Sequence, residues 1–99
     1  MAGFVQIIEM QTSRYDEVDQ LTEEWRKQTQ GRRATGRAMV TKDRDKSNTY
    51  VVVVEFPSYE AAMKNNDLPE TAALAQEMQK LADGPPTFYN LDVERVMED

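Results

Sequence analysis

The side chains able to do chemistry in this chain are few in type. Its 99 residues include no histidine and no cysteine. Their absence removes the commonest general base and metal ligand, the usual proximal ligand of haem, the thiolate nucleophile, the disulfide and the iron–sulfur cluster. Serine–histidine and cysteine–histidine pairs and ordinary zinc sites go with them. Carboxylates, phenols, amides, one indole and basic side chains are left. Gln6, Trp25, Arg37, Tyr50, Asn65, Asn66, Tyr89 and Asn90 can donate a hydrogen bond to a ligand oxygen. Glu9, Glu55, Asp92 and Glu94 fall in strand-like runs, where a buried acid can serve as general base. The plainer reading of each is a strand-end acid in solvent or paired with an arginine. No Asp-x-Asp-x-Asp loop is present, so no metal site is expected.

Charge is unevenly spread. The chain has 18 acids, 12 bases and a net charge of −6. Eight of the bases (Arg26, Lys27, Arg32, Arg33, Arg37, Lys42, Arg44 and Lys46) lie in one stretch, opposed only by Asp43 and Asp45. Such a run reads either as an anion site, with Arg32, Arg33 and Arg37 as its candidates, or as a helix C-terminus favoured by cations followed by a soluble turn. The overall negative charge and the lack of interleaved aromatics argue against nucleic acid. No apolar run approaches the ~20 residues of a membrane span. The start of the chain has no basic segment and carries Glu9, unlike a signal peptide. A cytoplasmic protein without a membrane partner is the expectation.

The elements that must position these residues follow from period and punctuation. The length fits one domain, residues 1–99, with a thin core. Residues 4–10 are apolar and β-branched and predict a strand. Ser13 and Asp16 have capping-box spacing, and Tyr15, Val18, Leu21, Trp25 and Gln28 repeat at helical spacing up to the stop at Gly31, which predicts a helix over 14–30. Residues 35–42 read as a second strand, 43–48 as a polar turn and 49–56, with four consecutive valines, as a third strand. Ser58 caps a short helix that Asn65 and Asn66 interrupt, and Asp67 with Glu70 caps a second helical piece ended by Gly84-Pro85-Pro86. Residues 88–97 read as a last strand, with 98–99 frayed. The order is βαββαβ.

Strand 49–56 is apolar on both faces, Val51 and Val53 opposite Tyr50, Val52, Val54 and Phe56, and the first strand behaves likewise. Two helices cover only one face of a four-stranded sheet. A solvated antiparallel face shows polar alternation, which is absent here, so a second copy is expected on the other face.

A chain of this length and order with two-sided strands resembles the dimeric α/β-barrel superfamily. Within it, Val51-Val52-Val53-Val54-Glu55-Phe56-Pro57-Ser58-Tyr59-Glu60-Ala61-Ala62, Asn66-Asp67-Leu68-Pro69-Glu70 and Gly84-Pro85-Pro86-Thr87-Phe88 resemble the antibiotic biosynthesis monooxygenase family. The resemblance implies an α+β, ferredoxin-like fold: a four-stranded antiparallel sheet with two helices on one face, paired with a second copy as a dimeric α/β barrel. It implies a cofactor-independent monooxygenase acting on an aromatic or polyketide-like substrate, needing an apolar cavity and donors for a developing oxyanion. The haem-degrading branch is not expected. Met63-Lys64-Asn65-Asn66 offers no histidine where that branch has its axial ligand, and Gln6 stands where it uses an asparagine.

On this reading Trp25, Tyr50, Phe56, Asn66 and Phe88 are the candidates to line a pocket between helices and sheet. Trp25 equally fits the apolar stripe of its helix, Tyr50 and Phe88 are ordinary strand aromatics, and the asparagine pair fits a helix break. No cofactor is expected. The alternatives are a non-catalytic small-ligand-binding dimer and an interaction module using the basic 26–46 stretch.

Overall fold

A computed structural model describes residues 3–34 and 36–98. The expected start of a strand at Thr35, the chain start at Met1 and the frayed Asp99 lie outside the described residues. The elements are β1 (Phe4–Gln11), α1 (Tyr15–Gln28), β2 (Ala38–Lys42), β3 (Thr49–Phe56), α2 (Tyr59–Asn66), α3 (Pro69–Leu81) and β4 (Thr87–Asp92). The four strands form one antiparallel sheet in the order β2-β3-β1-β4, and the fold is α+β and ferredoxin-like.

The helix ends differ from expectation for local reasons. Ser13 does not cap α1. Arg14 is the N-cap residue and makes no side-chain cap bond. Instead buried Thr12 accepts the Arg14 N–H at 3.0 Å and donates to the Leu81 carbonyl at 2.7 Å, which ties the start of α1 to the end of α3. Asp67 does not cap α3 either. Its backbone N–H closes α2 on the Met63 and Lys64 carbonyls, leaving Leu68 as the N-cap residue ahead of Pro69. Ser58 does cap α2, accepting the Ala61 N–H at 3.1 Å. Asn65 does not break that helix. It is buried inside it, and its Oδ1 accepts the Ala34 N–H at 3.3 Å, holding the loop before β2. In β4, regular pairing stops at Asp92 rather than Met97 because its neighbour β1 begins at Phe4; one further bond runs from the Val93 N–H to the Gly3 carbonyl.

Contacts label the two faces of the sheet. Phe4 meets the ring of Tyr59 on α2 edge-on at 5.4 Å, and Tyr50 stacks on Tyr15 of α1 at 4.4 Å. The helices therefore cover the face of Phe4, Gln6, Ile8, Met10, Tyr50, Val52, Val54 and Phe56. At one end of this face Phe4, Phe56 and Ala62 form a buried cluster with Ala34, Val54 and Met63 packed on it. At the other end Met10, Thr12 and Val18 are buried. The opposite face carries Val5, Ile7, Val51 and Val53, all half-buried, with Met39, Tyr89 and Leu91 exposed on its edge strands. Among the described residues no helix is long and apolar enough to cross a membrane.

Candidate functional site

Between the two buried ends, the helix side of the sheet carries a middle row. Register places Gln6 beside Asn90 and Val54, and Ile8 beside Phe88 and Val52. Gln6, Ile8, Val52 and Val54 are half-buried, and Phe88 remains 54% exposed. The Gln6 amide donates from Nε2 to Asn90 Oδ1 at 3.1 Å. That bond fixes two amides side by side, and each keeps further donor or acceptor capacity. None of these six side chains ionises near neutral pH. The row therefore offers an apolar surface beside a pair of amides, but it has no base of its own. Gln6 was among the donors readable from sequence; its partnership with Asn90, 84 positions away, was not.

The structure does not gather the five pocket candidates at one spot. Phe88 belongs to the middle row. Phe56 lies in the buried cluster at one end, and Tyr50 is stacked under Tyr15 at the other, six residues or ~20 Å along the same strand. Asn66 is exposed at the end of α2. Trp25 is half-buried and faces α3, where its indole Nε1–H donates to Thr71 Oγ1 at 3.0 Å. An open surface cleft of about 460 Å³ lies around the start of α1 and includes Tyr15, Asn48 and Tyr50. A second, of about 400 Å³, runs between α1 and α3 past Leu21 and Leu81. Neither is lined by Trp25, Phe56, Asn66 or Phe88.

The three arginines singled out for anions each have partners in the chain. Arg32 binds the Glu70 carboxylate at 2.6 Å and the Gln28 carbonyl at 2.7 Å. Arg33 donates to the Arg26 carbonyl at 2.7 Å while its guanidinium lies 5.7 Å from the centre of the Trp25 ring. Arg37 pairs with Glu55 at 2.9 Å. The carbonyls of Arg26 and Gln28 belong to the last turn of α1, where cations complement the helix dipole.

Three groups have shifted acidities. The hydrogen bond to Glu70 raises Arg32, and the same bond holds the Glu70 carboxyl below the usual carboxylate range. Burial raises the Tyr15 phenol, helped by the nearby Asp19 carboxylate. All three lie off the middle row.

Comparison with known proteins adds the following. A family model described as a domain of unknown function, DUF1330, matches residues 5–87. No curated protein matches the chain. Among solved structures, a single-residue variant of SnoaB, a cofactor-independent oxygenase from Streptomyces nogalater, is similar with a TM-score of 0.81 at 13% identity, over 100% of both chains. An antibiotic biosynthesis monooxygenase is similar at 0.74 and 15% identity, over 93% of this chain and 99% of that one. A conserved protein from Methanosarcina mazei Go1 is similar at 0.79 and 8% identity, over 93% of each. At these identities the likeness shows the fold, which is that of the antibiotic biosynthesis monooxygenases.

Proposed function

The chain belongs to the DUF1330 family, and from that membership and its fold we propose that it is a homodimeric, cofactor-independent monooxygenase of small aromatic or polyketide-like molecules. The observation that carries this reading is the middle row. It is apolar at Ile8, Val52 and Phe88 and lies next to a fixed amide pair, Gln6 and Asn90. An anthrone or phenol with an acidic proton gives that proton to solvent. Its carbanion adds dioxygen, and the resulting peroxide loses water, leaving one oxygen atom as a carbonyl. The amides supply hydrogen bonds to the substrate oxygen as negative charge grows there, and the apolar row packs against its ring.

The dimer is part of the same proposal. The face of Val5, Ile7, Val51 and Val53 has no helix on it, and contiguous apolar surface of that kind marks an interaction site. Sheets stack face to face at ~10 Å, so a second copy of this face fits it. We place the protein in solution in the cytoplasm, as one domain.

Oxygen uptake with anthrone tests the reaction. Turnover in the parent that falls more than ~10-fold in Gln6→Leu and Asn90→Leu supports it. No uptake and no ring binding by the parent overturns it. Saturable binding of anthrone without uptake selects the alternative, a non-catalytic ligand-binding dimer. One observation favours that alternative: the row of Gln6, Ile8, Val52, Val54, Phe88 and Asn90 contains no acid or base.

A further inference from the structure

The stacked pair Tyr15 and Tyr50 takes no part in the middle row. Tyr15 is the first residue of α1 and Tyr50 lies near the start of β3. Their rings stand 4.4 Å apart and within 12° of parallel. Both are half-buried, and both line the open cleft at the start of α1, so a solute in that cleft meets them. Burial, the Asp19 carboxylate and the Tyr50 phenol all raise the Tyr15 phenol, so a carboxylate and a second hydroxyl stand near it.

We infer that Tyr15 and Tyr50 form an oxidation site, where a one-electron oxidant entering the cleft joins the two rings, carbon to carbon, as a dityrosine within one chain. Each phenol gives one electron to the oxidant and one proton to its surroundings, which leaves a phenoxyl radical. The two radicals join through ring carbons ortho to oxygen. The hydrogens on those carbons pass to the phenoxyl oxygens through solvent, and both rings become aromatic again. In sum, one C–C bond replaces two C–H bonds, two equivalents of oxidant are reduced, and two protons are released. Three observations select this pair.

The first is contact. Radicals formed on near-parallel rings already face each other and need no encounter, as reacting groups held in place gain most over free ones. The chain has four tyrosines. Tyr59 meets Phe4, and Tyr89 sits on the far face of the sheet beside Ile7. Among the described residues only Tyr15 and Tyr50 stack on each other.

The second is charge. Asp19 and Asp16 stand near the Tyr15 phenol. Negative charge there favours loss of an electron, and a carboxylate beside the hydroxyl can take its proton. Arg14, the cation that lines the cleft, is paired with Glu17.

The third is the weakness of the competitors. The chain has no cysteine or histidine to divert the oxidant. The Arg33 guanidinium lies 5.7 Å from the centre of the Trp25 ring, and its positive charge opposes electron loss there. Methionine oxidation adds an oxygen atom, which is a different, two-electron step.

The test illuminates the full chain at roughly 10 μM with tris(bipyridine)ruthenium(II) and persulfate, a source of one-electron oxidant. At that concentration a partner within the chain outcompetes collisions between chains by at least ~100-fold, since even a loosely tethered partner is present at millimolar effective concentration. Dityrosine fluorescence is read on chains of one-chain mass after denaturing electrophoresis. Mass spectrometry of the tryptic digest then seeks residues 15–26 joined to residues 47–64, two hydrogens lighter than the separate peptides. Tyr15→Phe and Tyr50→Phe keep the packed ring but lose the phenol, so each is expected to keep its circular dichroism and to lose the one-chain product by at least ~10-fold. Tyr59→Phe and Tyr89→Phe are expected to form it as the parent does. A parent that gives only two-chain product or none, or a one-chain product that survives Tyr15→Phe and Tyr50→Phe, overturns the assignment.

Discussion

The uncovered sheet face makes a quantitative prediction at Ile7. This residue sits in the middle of that face, paired across to Val53 on β3 and to Tyr89 on β4, with Glu55 diagonal to it and Glu9 two residues along. In a single chain it is only half-buried, so replacing it with a polar residue costs the isolated fold little. In a two-fold dimer it meets the partner's face, and every change counts twice. Fully burying an exposed isoleucine is worth ~1.5–3 kcal/mol; Ile7 is already half-buried, so the dimer adds about half of that in each copy, or about 1.5–3 kcal/mol for both. At ~1.4 kcal/mol per tenfold, that lost burial alone raises the dissociation constant by roughly 10–10² in Ile7→Glu. The new carboxylates also crowd Glu9 and Glu55, which pushes the effect to the upper end. Sedimentation equilibrium over a concentration series reads the constant directly, with far-ultraviolet circular dichroism to confirm the fold. A folded Ile7→Glu chain with the parent's dissociation constant would show that this face is not where copies meet.

Trp25→Phe and Thr71→Val each remove one end of the α1–α3 hydrogen bond, and urea unfolding is expected to show a coupling of ~0.5–1.5 kcal/mol between them with anthrone binding unaffected; loss of binding in Trp25→Phe at unchanged stability would instead put the indole in the ligand site. Gly36→Ala drives a Cβ into the Glu55 carbonyl oxygen, so the entry to β2 must shift and the 2.8 Å bond from the Glu55 N–H to the Arg37 carbonyl is disturbed. Thermal unfolding should register a loss of about 1–3 kcal/mol, whereas Gly84→Ala, whose Cβ meets nothing within 4 Å, should register almost none. Glu70 is held ionised by Arg32, so its contribution is present at neutral pH and above and is lost as acid protonates the folded carboxyl. The stability gap between the parent and Glu70→Gln should therefore close below roughly pH 4; a gap that persists unchanged to pH 2 would refute the pairing.

The strands were the most legible part of the chain because β-branched runs carry their own signal. β3 occupies 49–56 as its valines require, and the turn before it is built by Asp43, whose Oδ1 accepts the Asp45 and Lys46 N–H groups. Helix positions were readable to within three residues, and so was the Ser58 cap of α2, but the caps of α1 and α3 were not. Thr12 displaced Ser13 at α1 because a carbonyl from α3 stood ready to accept its hydroxyl, a fact no local pattern contains. Alternation sorted strand residues into two sets without saying which meets the helices; one ring contact, Phe4 against Tyr59, decides it. The site was least legible. Trp25 and Thr71, Arg32 and Glu70, Gln6 and Asn90 are partners 46, 38 and 84 positions apart, brought together by packing alone.

That packing narrows the chemistry further than composition does. The lack of histidine excluded broad classes of catalyst from the whole chain. On the proposed reading the middle row excludes more, since its residues can stabilise a negative oxygen but cannot take a proton from carbon. A single well-placed oxyanion donor contributes ~10²–10³ to rate, and two amides contribute at most the product of two such factors. An enzyme limited to that assistance serves substrates whose carbanion is stabilised by their own rings. Anthrones meet that condition and simple aliphatic ketones do not. On the proposed reading, therefore, activity should follow the acidity of the substrate along a series of equal-sized rings. Removing Gln6 or Asn90 should reduce turnover on every member by a similar factor, because the amides act on the charge and not on the proton.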